Sequence, residues 1–378
     1  MFLSLCIVLG GSGVDGLFWH GLLQVAAATG LAILSLSWPK NLKLGAAKLP
    51  ILILSSFGFI AALQCIELPV ALWSAIPGRD SVALGFVELG ISNPAMPFSL
   101  DVESTMATVP YLLIPLFVLT LGIRVGSARL SNLASWFVTL MASAIVLLGL
   151  LQVLVAPDFD LYLYEFSNRG FPVGPFANAN HFACFLLMSI PFAIHLIQKY
   201  TAVSLNSDAS IALSVFLIAV LLLLLIGIVA AGSVAVYLMT VPVLIIASVV
   251  TWSAKITKRG RRWSIAVIGV SMIVSCALVL SSPIIGELGV TILEDGPLSR
   301  YRIWDITLDG TMTYWPMGSG IGTYHSVIPL FEDRAAVTST YVARAHNDYL
   351  QLVMETGLVG VVGLLAAGIW LANRIWKV

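Results

Sequence analysis

Charge is scarce in this sequence. Only 10% of its 378 residues are Asp, Glu, Lys or Arg, while hydrophobic residues reach 59% and the mean hydropathy is +0.99. Soluble domains run about half apolar and about a quarter charged, so a soluble enzyme or binding module is excluded. Cysteine is scarce too: Cys6, Cys65, Cys184 and Cys276 lie far apart, in or at the ends of apolar segments, without any CxxC spacing. This pattern excludes a disulfide framework and a cysteine metal site, and leaves the four as small apolar packing residues. With no basic helix and no zinc-finger spacing, nucleic acid is not an expected partner. Internal repeats, low-complexity tracts and a soluble domain are also lacking, so residues 1–378 read as a single integral membrane domain surrounded by membrane lipids.

Apolar runs are what the chain has instead. A helix needs about 20 apolar residues to cross a hydrocarbon core, and runs of that order fall at 17–36, 49–66, 107–123, 134–155, 178–198, 211–229, 234–251, 263–282 and 347–371. A shorter run at 2–12 precedes Gly13 and raises the expectation to about ten helices. A signal peptide is the other reading of that run, and the lack of any Lys or Arg before it argues against one. The expected fold is therefore all-α, a polytopic helical membrane protein with a large periplasmic loop before the last helix.

Loop charge sets the expected orientation, because short cytoplasmic loops retain Lys and Arg. Lys40, Lys43, Lys48, Arg124, Arg129, Lys199, Lys255, Lys258, Arg259, Arg261, Arg262, Arg374 and Lys377 alternate with the other segments and meet a single acid, Asp208. These face the cytoplasm of a bacterial inner membrane in this reading. The remaining basic residues are all arginines: Arg79, Arg169, Arg300, Arg302, Arg334 and Arg344. A guanidinium holds phosphate or carboxylate oxygens through two parallel bonds, which an ammonium cannot do. Two accounts stay open, anion binding and simple tolerance of the membrane edge beside nearby acids.

Three outward loops carry most of the remaining information. Residues 67–106 are rich in proline and acids, 156–177 lead into NANHFACFLL, and 283–345 are too long for a mere connection. Inside the last loop, PLSRYRIWDITLDGTM has Tyr301, Trp304 and Leu308 at helical spacing with Arg302, Asp305 and Asp309 on another stripe, which predicts an amphipathic helix capped by Ser299. GSGIG, residues 318–322, offers amides for an anion-binding nest, but that signal alone is weak and a plain flexible turn is the favoured reading. Next, ARAHNDYLQLVMETGLVGVVGLL joins a polar cluster to the last apolar run, with Asn347 or Asp348 as helix cap and Gly357 and Gly360 as a face for close helix approach.

The string His346-Asn347, nine residues, Gly357, two residues, Gly360 resembles the HNx9GxxG motif of the O-antigen ligase and polymerase superfamily. SRYRIW, Ser299 to Trp304, resembles that family's SRxxxW segment before a Gly-rich turn, and Asn178-Ala179-Asn180-His181-Phe182-Ala183 its Asn-x-Asn-x-Phe-Ala core. The likeness extends over residues 165–371. It departs at Gly232-Ser233-Val234, where the family carries an SRG-type arginine. Either another outward arginine takes that place, Arg169 first, or the donor or the activity differs.

This resemblance implies transfer of a glycan from a polyprenyl diphosphate carrier to a lipid A-core, glycan or protein acceptor on the periplasmic face, with inversion and without metal or other cofactor. The site residues implied are His346 and Arg300 for catalysis, and Arg169, Arg302, Arg344, Asn178, Asn180 and Asn347 for substrate binding. Ligase, polymerase, protein O-oligosaccharyltransferase and a non-catalytic assembly component all remain open at this point. A transporter is disfavoured, since charges sit in loops rather than near the bilayer midplane.

Overall fold

The computed structural model describes residues 1–11, 16–39, 44–92, 94–155, 160–203, 208–252, 299–334 and 342–377. It divides into two compact units, Met1–Ala26 with Arg124–Ile285, and Ala27–Ile123 with Gly286–Lys377. Among the described residues five helices are long and apolar enough to cross a membrane: Leu17–Leu36, Val102–Val125, Leu130–Val155, Ala179–Tyr200 and Asp208–Ala231. Lys48–Gln64, Val234–Val250 and Leu358–Arg374 are shorter apolar helices. The run at 2–12 forms only the eight-residue helix Phe2–Leu9, far short of a crossing. The crossing expected at 263–282 and the loop portion 283–298 lie outside the described residues.

Four helices build the first unit: Ser127–Val155, Ala179–Val203, Asp208–Ala231 and Val234–Trp252. Ala179–Val203 packs against all three others. Phe182, Leu186, Ile190, Val146 and Leu224 are fully buried at its centre. Leu147, Val215, Leu222 and Val229 stay exposed on the outside. An apolar core inside an apolar exterior is what a hydrocarbon surrounding permits and water does not. With lipid on all sides, close backbone approach drives packing rather than burial from water. Gly227 provides it, because a Cβ there would stand 2.8 Å from Leu186 Cδ1 and 3.0 Å from Val146 Cγ2.

Residues 160–177 are tied to this unit through a buried amide. Gln152 Nε2 donates to Gly174 O at 2.8 Å and Leu161 O at 3.1 Å, while its Oε1 accepts the N–H groups of Gly174 and Val173. Such a side chain satisfies loop backbone that apolar neighbours cannot.

The second unit has a different composition of contacts, with polar groups inside. Lys48–Gln64 packs against Val102–Thr108 and against Leu358–Lys377. Residues 67–101 fold back through a two-residue antiparallel pair, Glu67 with Pro97 and Leu68 with Met96. Arg79 is fully buried in this fold-back. Its Nη2 donates to Phe98 O at 2.7 Å, and its guanidinium lies 5.6 Å from the Phe98 ring centroid and 5.4 Å from that of Tyr314. Burial lowers its pKa to about 10, and the two ring faces replace the missing carboxylate as partners for the cation.

Arg300–Tyr314 and Asp348–Thr356 pack together around Ile303, Tyr314, Tyr324, Ile328, Ala345 and Met354. In the last loop the helix Arg300–Tyr314 buries Ile303, Thr307 and Tyr314 and leaves the expected apolar stripe of Tyr301, Trp304 and Leu308 exposed, so only the helix itself and its Ser299 cap, which accepts the Arg302 N–H at 3.3 Å, are present. The single last helix expected at 347–371 is not. It is two helices, Asp348–Thr356 and Leu358–Lys377, broken at Gly357 with φ +57° and ψ −136°. The expectation that Gly357 presents a face to another helix is corrected likewise. A Cβ on Gly357 would be driven into the Pro316 carbonyl and Met317, whereas one on Gly360 would meet Thr356 and Leu352 of the preceding helix. Gly357 thus admits a loop backbone, whose Pro316 carbonyl accepts Leu358 N–H at 2.8 Å.

Candidate functional site

The Gly-rich turn forms the floor of the site. Gly318, Gly320 and Gly322 have φ of +86°, +122° and +80°, a backbone conformation that glycine alone adopts at little cost. The turn does form a nest of amides, and the chain fills the nest itself. Glu355 Oε2 accepts Gly322 N–H at 2.8 Å, and its Oε1 accepts Tyr324 N–H at 3.3 Å and Gln351 Nε2–H at 3.0 Å. Gly320 N–H adds a bond to the Glu355 carbonyl at 2.9 Å. Burial pushes the Glu355 carboxyl above its ordinary range against the pull of these amides and of Arg344, which favour the anion. A bound ligand anion is therefore not what the nest holds.

From Glu355 the network continues toward His346. Gln351 donates to Glu355 and accepts the Ala345 N–H on its Oε1 at 3.3 Å. The residue before the histidine is thereby fixed to the helix after it. Asn347 caps that helix, its Oδ1 accepting Leu350 N–H at 3.2 Å. His346 itself has φ +51°, uncommon for any residue but glycine, and this sharp turn leaves it exposed at the lip. Its pKa is pushed below the ordinary histidine value, first by desolvation and then by the positive Arg300, with Asp348 pulling the other way. A neutral imidazole at pH 7 follows.

Other expected site residues are differently engaged. Arg302 pairs with Asp333 at 3.6 Å on the surface, and Arg344 is exposed within electrostatic reach of Glu355. Arg169, Asn178 and Asn180 belong to the first unit. There Arg169 bonds Asp160 at 2.9 Å and lies 5.3 Å from the Tyr162 ring. Asn178 Oδ1 caps Ala179–Val203 by accepting Asn180 N–H at 2.7 Å, and Asn180 is exposed. Among the described residues no group of three His, Cys, Asp or Glu side chains stands together to hold a metal. Glu355, Gln351 and Gln64, whose Oε1 accepts Ile321 N–H at 3.0 Å, were not expected from the sequence. One signal was available, since Gln351 and Glu355 are four apart and so share a helix face.

Residues 218–365 match the model of the O-antigen ligase family. That segment contains the SRxxxW sequence, the Gly-rich turn and the whole HNx9GxxG string. Over that segment the chain is similar to the O-antigen ligase family, which supports an O-antigen ligase-like superfamily assignment. The match covers under half of the chain and stops short of the Asn178–Ala183 segment at its N-terminal side. No curated protein and no solved structure matched the chain. Family and apolar helices together describe a multi-pass membrane protein of a glycosyltransferase-type family.

Proposed function

We propose that this protein transfers a glycan from a polyprenyl diphosphate carrier to an acceptor hydroxyl on the periplasmic face of a bacterial inner membrane, in the manner of an O-antigen ligase. One observation carries the reading. On the family-matched segment an exposed histidine, set at a sharp turn with φ +51°, lies within electrostatic reach of Arg300 on a neighbouring helix end. This pair suits the chemistry of a glycosyl diphosphate, which already has a good leaving group.

The acceptor oxygen attacks the anomeric carbon from the face opposite the diphosphate. As the new C–O bond forms, the bond to the diphosphate oxygen breaks and its electron pair leaves with the carrier. His346 takes the hydroxyl proton, which a neutral imidazole can do. Arg300 opposes the charge growing on the diphosphate. Inversion follows from the single displacement. Asn347, Arg302, Arg344, Arg169, Asn178 and Asn180 are the substrate-binding residues of this reading. The acceptor is a lipid A-core, another glycan or a protein.

The experiment is a complementation assay in the bacterium that carries this gene. Deletion should leave the lipid-linked glycan to accumulate and the acceptor bare, wild type should restore transfer, and His346→Ala should not. Restoration by His346→Ala at equal abundance would remove the base from the mechanism.

A further inference from the structure

Among the described residues one face of the Arg300–Tyr314 helix remains uncovered. Tyr301, Trp304, Asp305 and Leu308 on it line a groove of about 230 Å³, closed on the other side by Asn347 and Leu350. Tyr301 is 76% exposed and Trp304 40%, so these rings are not core residues that happen to border a cleft. The volume lies below the range of about 300–1,000 Å³ typical of a site that encloses a whole small molecule. It suits a portion of a longer one.

The lining decides which portion. Aromatic faces offer an apolar platform, Asp305 offers only acceptor oxygens, and Asn347 can donate through its NH2 because its Oδ1 is occupied by the helix cap. A pyranose ring needs this combination, having one face of C–H groups and a rim of hydroxyls that both donate and accept. A prenyl or acyl chain would leave Asp305 and Asn347 desolvated without partners. A diphosphate would meet the like charge of Asp305. Because Asn347 follows His346 directly, a sugar seated here has its hydroxyls next to the base.

We infer that this groove seats the terminal sugar of the acceptor glycan, with Trp304 as the stacking platform and Asp305 and Asn347 as its hydroxyl partners. The inference rests on the proposed glycan transfer, and it names the acceptor subsite of that reaction. Arg300 lies one turn before Trp304 on the same helix, so the diphosphate partner and the acceptor platform are carried by a single rigid element.

Photocrosslinking in the native bacterium tests it without requiring the acceptor to be known. The full chain carries p-benzoylphenylalanine in place of Leu308, cells are irradiated, and the adducts on the purified protein are read by mass spectrometry. Glycan-bearing adducts are expected, and they should persist in a strain that makes no lipid-linked donor. Trp304→Ala should lower their yield about tenfold, while Trp304→Phe, which keeps an aromatic face, should retain most of it. Adducts with phospholipid alone would mean a membrane-interface belt and overturn the inference, as would a yield untouched by Trp304→Ala. Glycan adducts that vanish with the donor would assign the groove to the donor sugar and overturn it equally. The two readings fail separately. Adducts should survive His346→Ala, which stops transfer but not binding, and a transferring wild type without glycan adducts would sink the groove alone.

Discussion

The Glu355 carboxylate accepts the backbone N–H of Gly322 across 33 residues of sequence, at 2.8 Å. That bond joins the Gly-rich turn to the helix that starts at the candidate base. Through Gln351 it extends to Ala345, the neighbour of His346. Glu355 is thus a positioning residue, which holds the histidine without touching substrate.

Glu355→Ala should destabilise the protein. It leaves the N–H groups of Gly322 and Tyr324 buried without partners, at a cost of about 1–3 kcal/mol each. Thermal unfolding in detergent checks this, and an unchanged midpoint would separate the turn from the helix energetically. pH adds a sign. Because the folded carboxyl titrates above the ordinary value of 4.5, the folded state binds the proton more tightly, so its stability should fall as pH rises from about 4.5 toward that higher value. Glu355→Gln should remove this slope.

Gly357→Ala should lower abundance sharply, and Gly360→Ala should do so less. The first is strained by φ +57° and drives a methyl into loop backbone, whereas the nearest atom to the second is a threonine side-chain oxygen at the end of the preceding helix. Fluorescence-detected size exclusion of the two variants makes the comparison. Equal behaviour would contradict the role given to the helix break.

Much of this fold could be read from the sequence, and the exceptions have physical causes. Leu17–Leu36 has the bounds expected from hydropathy, and Ala179–Val203 starts within a residue of expectation, because apolar length alone specifies a membrane helix. The Ser299 and Asn347 caps were likewise local, each set by a side chain and an amide three residues on. The break at Gly357 was not local. Apolar pattern continues through it, and what stops the helix is the Pro316–Met317 backbone, 40 residues away. The filled nest was hidden for the same reason, since its amides and its carboxylate are far apart in sequence. For the candidate site, the string around His346 was legible as a motif, but its coupling to Arg300 and its support by Gln351 needed the packing of two helices.

The acid limb of the pH–rate profile should lie below the ordinary histidine range and should move with its neighbours. Arg300→Gln removes the positive charge that lowers the His346 pKa, so the limb should shift to higher pH. Asp348→Asn removes the charge that raises it, and the limb should shift to lower pH. Shifts of the same sign in both variants would exclude His346 as the titrating group.

Arg300→Lys keeps the charge but loses the planar fork, so it should lose most of the transfer rate while leaving the His346 pKa depressed. Steady-state transfer and the same pH profile report the two effects independently. A fully active lysine variant would take Arg300 out of diphosphate binding.

The central claim is that His346 accepts the acceptor's proton, and glycan transfer by purified His346→Ala and His346→Gln tests it most directly. Loss of a general base costs about a hundred- to ten-thousand-fold in rate, so both variants should be inactive to that degree at unchanged abundance and thermal stability. A glutamine variant that transfers glycan at the wild-type rate would contradict the claim, because glutamine can hold the turn by hydrogen bonds but cannot take a proton.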